Sequence, residues 1–194
     1  MNSSSFWSGK NIFITGINGF IGGNLAKFFV EKGANVFGLL RNKKEDTLFY
    51  FEGLNSKTTL IEGSLTDKSL LERIISEERI QYVYHLAAQV EVGVGMSNPF
   101  LTFETNIRGT YCLLEAIRNY SEKIESIVIA STDKSYGEYP KEKMPYKEDY
   151  PLLPKYPYDT SKACADMIAQ AYTSQIYNLP LVIKGSKKLK PIRF

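Results

Sequence analysis

The chain has 194 residues, 43% hydrophobic and 23% charged, enough apolar material for a sizeable core without disulfide or metal staples. A formal net charge of +3 is too small to imply a nucleic-acid partner. No apolar run approaches the ~18 residues of a membrane span, and residues 1–5 lack the charged-then-apolar order of a signal peptide. In chain order, residues 11–15 (NIFIT) are a short apolar run closed by Gly16, a buried strand. Residues 20–32 carry Phe20, Ile21, Leu25, Phe28 and Phe29 near helical spacing and stop at Gly33. A strand at 35–40 (NVFGLL), a strand at 59–61, an amphipathic helix at 67–77 and a strand at 82–86 (YVYHL) follow. Then come a long helix at 100–120, a strand at 126–130 (SIVIA), a helix at 158–177 and a strand at 179–183.

β-branched runs without polar alternation suit strands covered on both faces. Their alternation with helices predicts an α/β, doubly wound parallel sheet with helices on both faces and ligands at the carboxyl ends of the strands. The stretch 137–157 contains Pro140, Pro145, Pro151, Pro154 and Pro157, which excludes a helix. Its length favours a lid or substrate-facing loop over a spacer. Cys112 and Cys164 fall in helical patterns and read as buried free thiols. With one histidine they cannot complete a four-ligand zinc site, and a reducing cytoplasm is the expected location.

The first strand leads into Gly16-Ile17-Asn18-Gly19-Phe20-Ile21-Gly22 at the start of a helix. In that strand–turn–helix setting Gly16 permits the tight turn, Gly19 lets backbone approach a pyrophosphate, and Gly22 lets the helix pack close to the strand. The helix N-terminus offers its free N–H groups to phosphate. The second strand ends at Arg41-Asn42-Lys43-Lys44, with no acid before Glu45 to hold a ribose 2′-hydroxyl. Arg41 is available to a 2′-phosphate, which points to NADP, with NAD the alternative and a solvated basic turn the competing reading.

Tyr158 and Lys162 stand at i and i+4, on one face of a helix. A free phenol, with a pKa near ~10, is a poor base; a nearby ammonium and an oxidised nicotinamide would favour the phenolate. The fifth strand runs into Ser131-Thr132-Asp133-Lys134, where this fold places reacting groups. Thr132 can bond a substrate hydroxyl, and Asp133 and Lys134 form an adjacent acid/base pair; alone they also fit a polar turn. His85, in the fourth strand, reads as packing or as orienting a neighbour.

The chain resembles the extended short-chain dehydrogenase/reductase family, specifically its nucleotide-sugar dehydratases and epimerases. The resemblance rests on TGINGFIG (15–22), YHLAAQV (84–90), NPFLTFETNIRGTYCLLEA (98–116), STDKSYG (131–137) and YPYDTSKACAD (156–166), which run along nearly the whole chain in the family's order. The opening Phe6-Trp7-Ser8-Gly9-Lys10 resembles CDP-glucose 4,6-dehydratases, and Arg41 is more like GDP-mannose 4,6-dehydratases. The resemblance implies a Rossmann domain over 1–183. Thr132, Tyr158 and Lys162 match the catalytic set, and Asp133 and Lys134 the positions used for water elimination. Gly16, Asn18, Gly19, Phe20, Ile21 and Gly22 match the cofactor loop. Leu86, Ala87 and Ala88 match the small turn beside the cofactor, and Asn106 an Asn of the long helix. Ser64-Leu65 stands where the family has Asp-Leu beside the adenine.

The implied reaction converts a nucleotide-hexose to its 4-keto-6-deoxy form. Tyr158 takes the 4-hydroxyl proton as C4 hydride passes to the nicotinamide, and the 4-ketone acidifies C5–H. Asp133 protonates the leaving C6 hydroxyl, and hydride returns to C6. Lys134 takes the C5 position as base or as the cation that steadies an enolate. Asp133 favours a dehydratase over an epimerase, which needs only the Tyr–Lys chemistry. The resemblance also implies a homodimer through helices 100–120 and 158–177, with Tyr111 and Ile117, or Met167 and Tyr172, outward. Residues 184–194 read as a basic tail where relatives continue into a substrate domain. That domain is expected to be missing, so cofactor binding is expected to survive and turnover to be weak. A non-catalytic dinucleotide-binding remnant is the other reading.

Overall fold

The computed structural model describes residues 6–173 and 179–184. The predicted tail lies outside them apart from Lys184, and so do residues 174–177 of the predicted last helix. Six strands, β1 (Asn11–Thr15), β2 (Asn35–Leu40), β3 (Thr59–Glu62), β4 (Tyr82–His85), β5 (Ser126–Ala130) and β6 (Leu181–Lys184), form one sheet in the order β3-β2-β1-β4-β5-β6. Every neighbouring pair is parallel. The direction of strand succession reverses between β1 and β4, where this architecture opens a crevice at the carboxyl edge.

Alternation along β1 shows why these strands lack a polar face. Ile12 and Ile14 pack with Phe29, Leu40 and Phe49 beneath α1 (Phe20–Glu31) and α2 (Leu48–Phe51). Phe13 points the other way, into a cluster with Val83, Leu71, Ile74, Leu113, Ile117 and Ala169. That second cluster lies under α3 (Lys68–Glu77), which Asp67 caps by accepting the Leu70 N–H at 3.0 Å. Burying each such side chain stabilises the fold by roughly 1.5–3 kcal/mol, so both faces of the sheet are strongly covered.

Two short helices, α2 and α4 (Val92–Ser97), were not legible in the periodicity, since four and six residues are too few to show it. The predicted helix at 100–120 is interrupted. It comprises α5 (Pro99–Phe103), a π-helical turn (Glu104–Arg108) and α6 (Gly109–Arg118). The last helix, α7, is Pro157–Tyr172, and the last strand starts two residues later than expected. Cys112 is buried, but Cys164 on α7 is only half-buried.

The proline-rich stretch holds one 3-10 turn, Lys141–Lys143, and is otherwise irregular. Stacked tyrosines organise it: Tyr136 on Tyr146 at 5.1 Å and Tyr139 on Tyr150 at 5.0 Å. The Tyr146 hydroxyl donates to the Gly137 carbonyl at 2.8 Å.

Candidate active site

The glycine turn sits at the switch point between β1 and β4. Gly16 has φ +74°, and a Cβ there would meet the Ala87 amide nitrogen at 2.9 Å. The Leu86–Ala88 turn therefore closes directly on it. A Cβ on Gly22 would lie 2.1 Å from the Gly16 carbonyl oxygen, so α1 begins in backbone contact with the turn. Gly19 is the N-cap of α1 and gives no side-chain cap, leaving first-turn N–H groups directed outward. Phe20 and Ile21 are exposed beside it. These features fit a pyrophosphate against the helix end: small residues where backbone must approach, and unsatisfied donors.

Asn18 donates to the Asn42 carbonyl at 3.1 Å, tying this turn to the end of β2, where Arg41 is exposed. Ser64 is exposed, and its hydroxyl pairs with Thr66 Oγ1 at 2.8 Å and accepts the Thr66 N–H. The Leu65 side chain belongs to the core, packed against Gly109. Leu86 and Ala87 likewise lean on the two cores, and Ala88 is half-buried.

Across the carboxyl end of β5 the catalytic candidates converge. Thr132 caps the 3-10 turn Asp133–Tyr136 by accepting the Lys134 N–H at 3.3 Å. Its hydroxyl donates to Asp133 Oδ1 at 3.3 Å, and it stands near enough to Tyr158 to lower the phenol's pKa in part. Lys162 is buried, with Nζ donating to the Ala130 carbonyl at 2.6 Å. Burial pulls its pKa down to about 8 against the opposing charge of Asp166. Asp166 is itself buried, accepting from Ser131 at 2.7 Å and Gln170 at 2.6 Å.

In the protein alone the Tyr158 pKa is displaced upward. Burial raises it, the neighbouring Thr132 side chain lowers it in part, and the charges of Asp159 and Asp133 raise it further. The Lys162 ammonium is directed at Ala130 instead. The protein alone therefore holds Tyr158 as the neutral phenol.

Asp133 and Lys134 are exposed. Lys134 lines a cleft of ≈ 270 Å³ with Val92, Met96, Glu138, Tyr146, Tyr156, Tyr158 and Asp159. The loop thus faces the candidate catalytic residues. Asp159 was missed by sequence reasoning although it directly follows Tyr158. Burial raises its pKa, Lys134 opposes that, and Asp133 and Glu138 add to it. A carboxyl, an ammonium and a phenol therefore share one cleft, suited to binding and deprotonating a polyol.

Asn106, in the π turn, joins the halves of the site. Its Oδ1 accepts the Gln89 N–H at 2.7 Å, and its Nδ2 donates to the Gln89 carbonyl at 3.0 Å and to Ser161 Oγ at 2.8 Å. Among the described residues no group of acidic, histidine or cysteine side chains could hold a metal ion, and no helix is long and apolar enough to cross a membrane.

Known proteins resemble the chain in sequence and fold. The chain is 33% identical to the CDP-glucose 4,6-dehydratase of Salmonella typhimurium over 92% of its own length and 49% of the relative's. It is 34% identical to a GDP-mannose 4,6-dehydratase of Vibrio cholerae over 84% of its length and 45% of the relative's. Among solved structures, the UDP-glucose 4-epimerase of Thermotoga maritima with UDP-glucose superposes with a TM-score of 0.79 at 31% identity, covering 89% of this chain and 54% of that one. The dTDP-glucose 4,6-dehydratase of Bacillus anthracis in complex with NAD gives 0.75 at 32%, covering 90% and 53%. The chain spans about half the length of these relatives. The match extends from β1 beyond β6, through the glycine turn, the end of β5 and the tyrosine helix: residues 13–186 fit the family described as GDP-mannose 4,6 dehydratase, and the chain belongs to that family.

Proposed function

We propose that this chain forms the cofactor-holding half of a nucleotide-sugar 4,6-dehydratase. The observation that carries the reading is the grouping of Thr132, Tyr158 and Lys162 at the end of β5, beside a cleft that Lys134 and Asp159 also line. A bound nicotinamide dinucleotide would supply the hydride acceptor and later donor. Tyr158, with Thr132 beside it, takes the proton of the sugar 4-hydroxyl. A cation brought against the phenol acts opposite to burial and eases that transfer. Asp133, exposed beside the cleft, would give a proton to the leaving 6-hydroxyl while Lys134 takes the C5 proton, and hydride would then return to C6 and the proton to C5. The test follows the 4-keto-6-deoxy product with CDP-glucose and GDP-mannose. Tyr158→Phe should lower turnover ~10²–10⁴-fold, the usual contribution of a positioned acid or base. Cofactor binding with no product from either sugar nucleotide would favour a non-catalytic dinucleotide-binding protein instead.

For the cofactor we favour NADP, supported by exposed Arg41 at the end of β2 and the tie from Asn18 to Asn42. Arg41→Ala should weaken NADPH binding roughly 10–100-fold, as expected for loss of a charge-assisted contact, and leave NADH binding within about twofold. Fluorescence titration checks this; tighter NADH binding unaffected by the substitution would reverse the preference.

A homodimer through α5–α6 and α7 is supported by exposed Phe100, Phe103, Tyr111 and Met167. The interface residues differ from the sequence expectation. Ile117 is fully buried in the core, and Tyr172 packs against that core with its hydroxyl on Glu115 at 2.5 Å. Exposed apolar side chains on these helices are what a contact between two copies would cover. Sedimentation at micromolar concentration should show a dimer that Met167→Glu dissociates.

A further inference from the structure

His85 is the chain's single histidine, and the reaction above makes no use of it. It is buried at the carboxyl end of β4, in register with Thr15 of β1. Its two ring nitrogens meet two threonines. Nδ1 lies 2.8 Å from Thr15 Oγ1, and Nε2 lies 3.0 Å from Thr110 Oγ1.

The direction of these bonds follows from what else the hydroxyls do. Thr15 Oγ1 accepts the N–H groups of Leu86 and Ala87, each at 3.2 Å. The Leu86 N–H is shared with the Thr15 carbonyl, also at 3.2 Å; with both Oγ1 lone pairs facing these donors, the hydroxyl proton goes to Nδ1. Thr110 Oγ1 gives its proton to the Asn106 carbonyl at 2.7 Å, so it accepts from Nε2. The ring is the neutral Nε2–H tautomer, and the protons point one way, from Thr15 through His85 and Thr110 to Asn106. The Nδ1–H tautomer would set two donors against each other at Thr15. An imidazolium would do the same, and burial together with the Lys162 charge takes the His85 pKa down to about 3.

The chain of bonds joins the two halves of the site. At one end, Thr15 fixes the Leu86–Ala87 backbone against which Gly16 packs. At the other, Asn106 holds both backbone groups of Gln89 and Ser161, whose hydroxyl donates to the Tyr158 carbonyl at 2.7 Å. π-helical turns such as the one carrying Asn106 are frequent at functional sites.

We propose that His85 is a positioning residue, whose one-way relay from Thr15 to Asn106 holds the cofactor-facing turn at 86–89 and the helix bearing Tyr158 in a single mutual placement. This rests on reading those two elements as the cofactor and substrate contacts. Long-range ¹H–¹⁵N NMR of the full chain reports the tautomer directly, because one histidine gives one ring pattern. The expected result near neutral pH is Nε2–H with an unprotonated Nδ1. The Nδ1–H form or an imidazolium overturns the relay, whether or not dinucleotide binds. The functional arm compares Thr110→Val, which removes the acceptor at nearly constant volume, with Thr110→Ser, which keeps it. The NADPH or NADH dissociation constant should rise about tenfold in the first and return to within about twofold of wild type in the second. Equal affinity in Thr110→Val and wild type overturns the positioning role. Should Thr110→Val fail to fold, Thr110→Ser binding tenfold more weakly than wild type would overturn it as well. A wild-type chain that shows Nε2–H yet binds neither dinucleotide overturns the cofactor reading, and the positioning role with it.

Discussion

Gly22→Ala should cost several kcal/mol of stability and abolish dinucleotide binding, whereas Gly19→Ala should fold and lose affinity alone. The new methyl at position 22 would stand 2.1 Å from the Gly16 carbonyl oxygen and 2.9 Å from the Gly16 carbonyl carbon and the Ile17 Cα. All three are backbone atoms, so no side chain can rotate away. Gly16 cannot retreat either, because its own Cα already faces the Ala87 backbone. The strain must move the start of α1 off the sheet. Overpacking typically costs 1–3 kcal/mol where side chains adapt, and a contact confined to backbone belongs at or above that range, about 3 kcal/mol or more. At position 19 the nearest atom is the same carbonyl at 3.2 Å, and the backbone there is extended (φ −80°). That contact needs a shift of a few tenths of an ångström, worth under about 1.5 kcal/mol. The methyl would instead stand at the uncapped helix end and hold a phosphate away from its N–H groups. Chemical denaturation and cofactor titration of both variants separate the effects. A Gly22→Ala protein as stable as wild type would show that the turn yields more than its geometry implies.

Lys162→Met should make the protein more stable and much less functional. Lys162 is charged and buried at neutral pH, and its pKa of about 8 sits below the ordinary lysine value of 10.5 even after the attraction of Asp166 is included. The net effect of this environment on the ammonium is therefore unfavourable, on the order of 3 kcal/mol at 1.36 kcal/mol per pKa unit. Methionine keeps the unbranched stem and removes the charge. Asp166 retains its bonds from Ser131 and Gln170. A gain of about 1–3 kcal/mol at pH 7 is expected, less whatever the Ala130 carbonyl loses. The pH dependence carries a definite sign. Between about pH 8 and 10.5 the unfolded chain keeps the lysine proton that the folded chain has released. Wild-type stability then rises with pH relative to the variant. The gap should be full below pH 8 and close on going towards pH 10.5. Loss of an ammonium that contacts cofactor or substrate costs about 10–100-fold in binding. Stability traded against a charged active-site group is the expected pattern for functional residues. A variant less stable than wild type at pH 7, with a gap that widens above pH 8, would contradict this account.

The strands, the glycine turn and the shared helix of Tyr158 and Lys162 were legible because each is a local signal. A parallel strand buried on both faces reads as an apolar run, as in 11–15 and 126–130, and the i, i+4 spacing puts two side chains on one helical face whatever surrounds them. The parallel sense of the sheet follows from repeated βαβ units, whereas its order and switch point appear only in the folded structure. What the tertiary structure alone decided depends on residues far apart in sequence. Thr132 meets Tyr158, Lys162 meets the Ala130 carbonyl, and Asn106 meets Ser161 through contacts that no local spacing encodes. The π turn at Glu104–Arg108 exists in a sequence that reads as unbroken helix, so its register appears only with its partners. Apolar residues on more than one face of a helix do not declare which face meets the sheet, and so Ile117 proved to be core while Tyr111 and Met167 stand outside. The direction of the Tyr158 shift was decided the same way. Spacing brings Lys162 into reach, but burial and the aim of its ammonium at Ala130 set the sign, and both are properties of the folded environment.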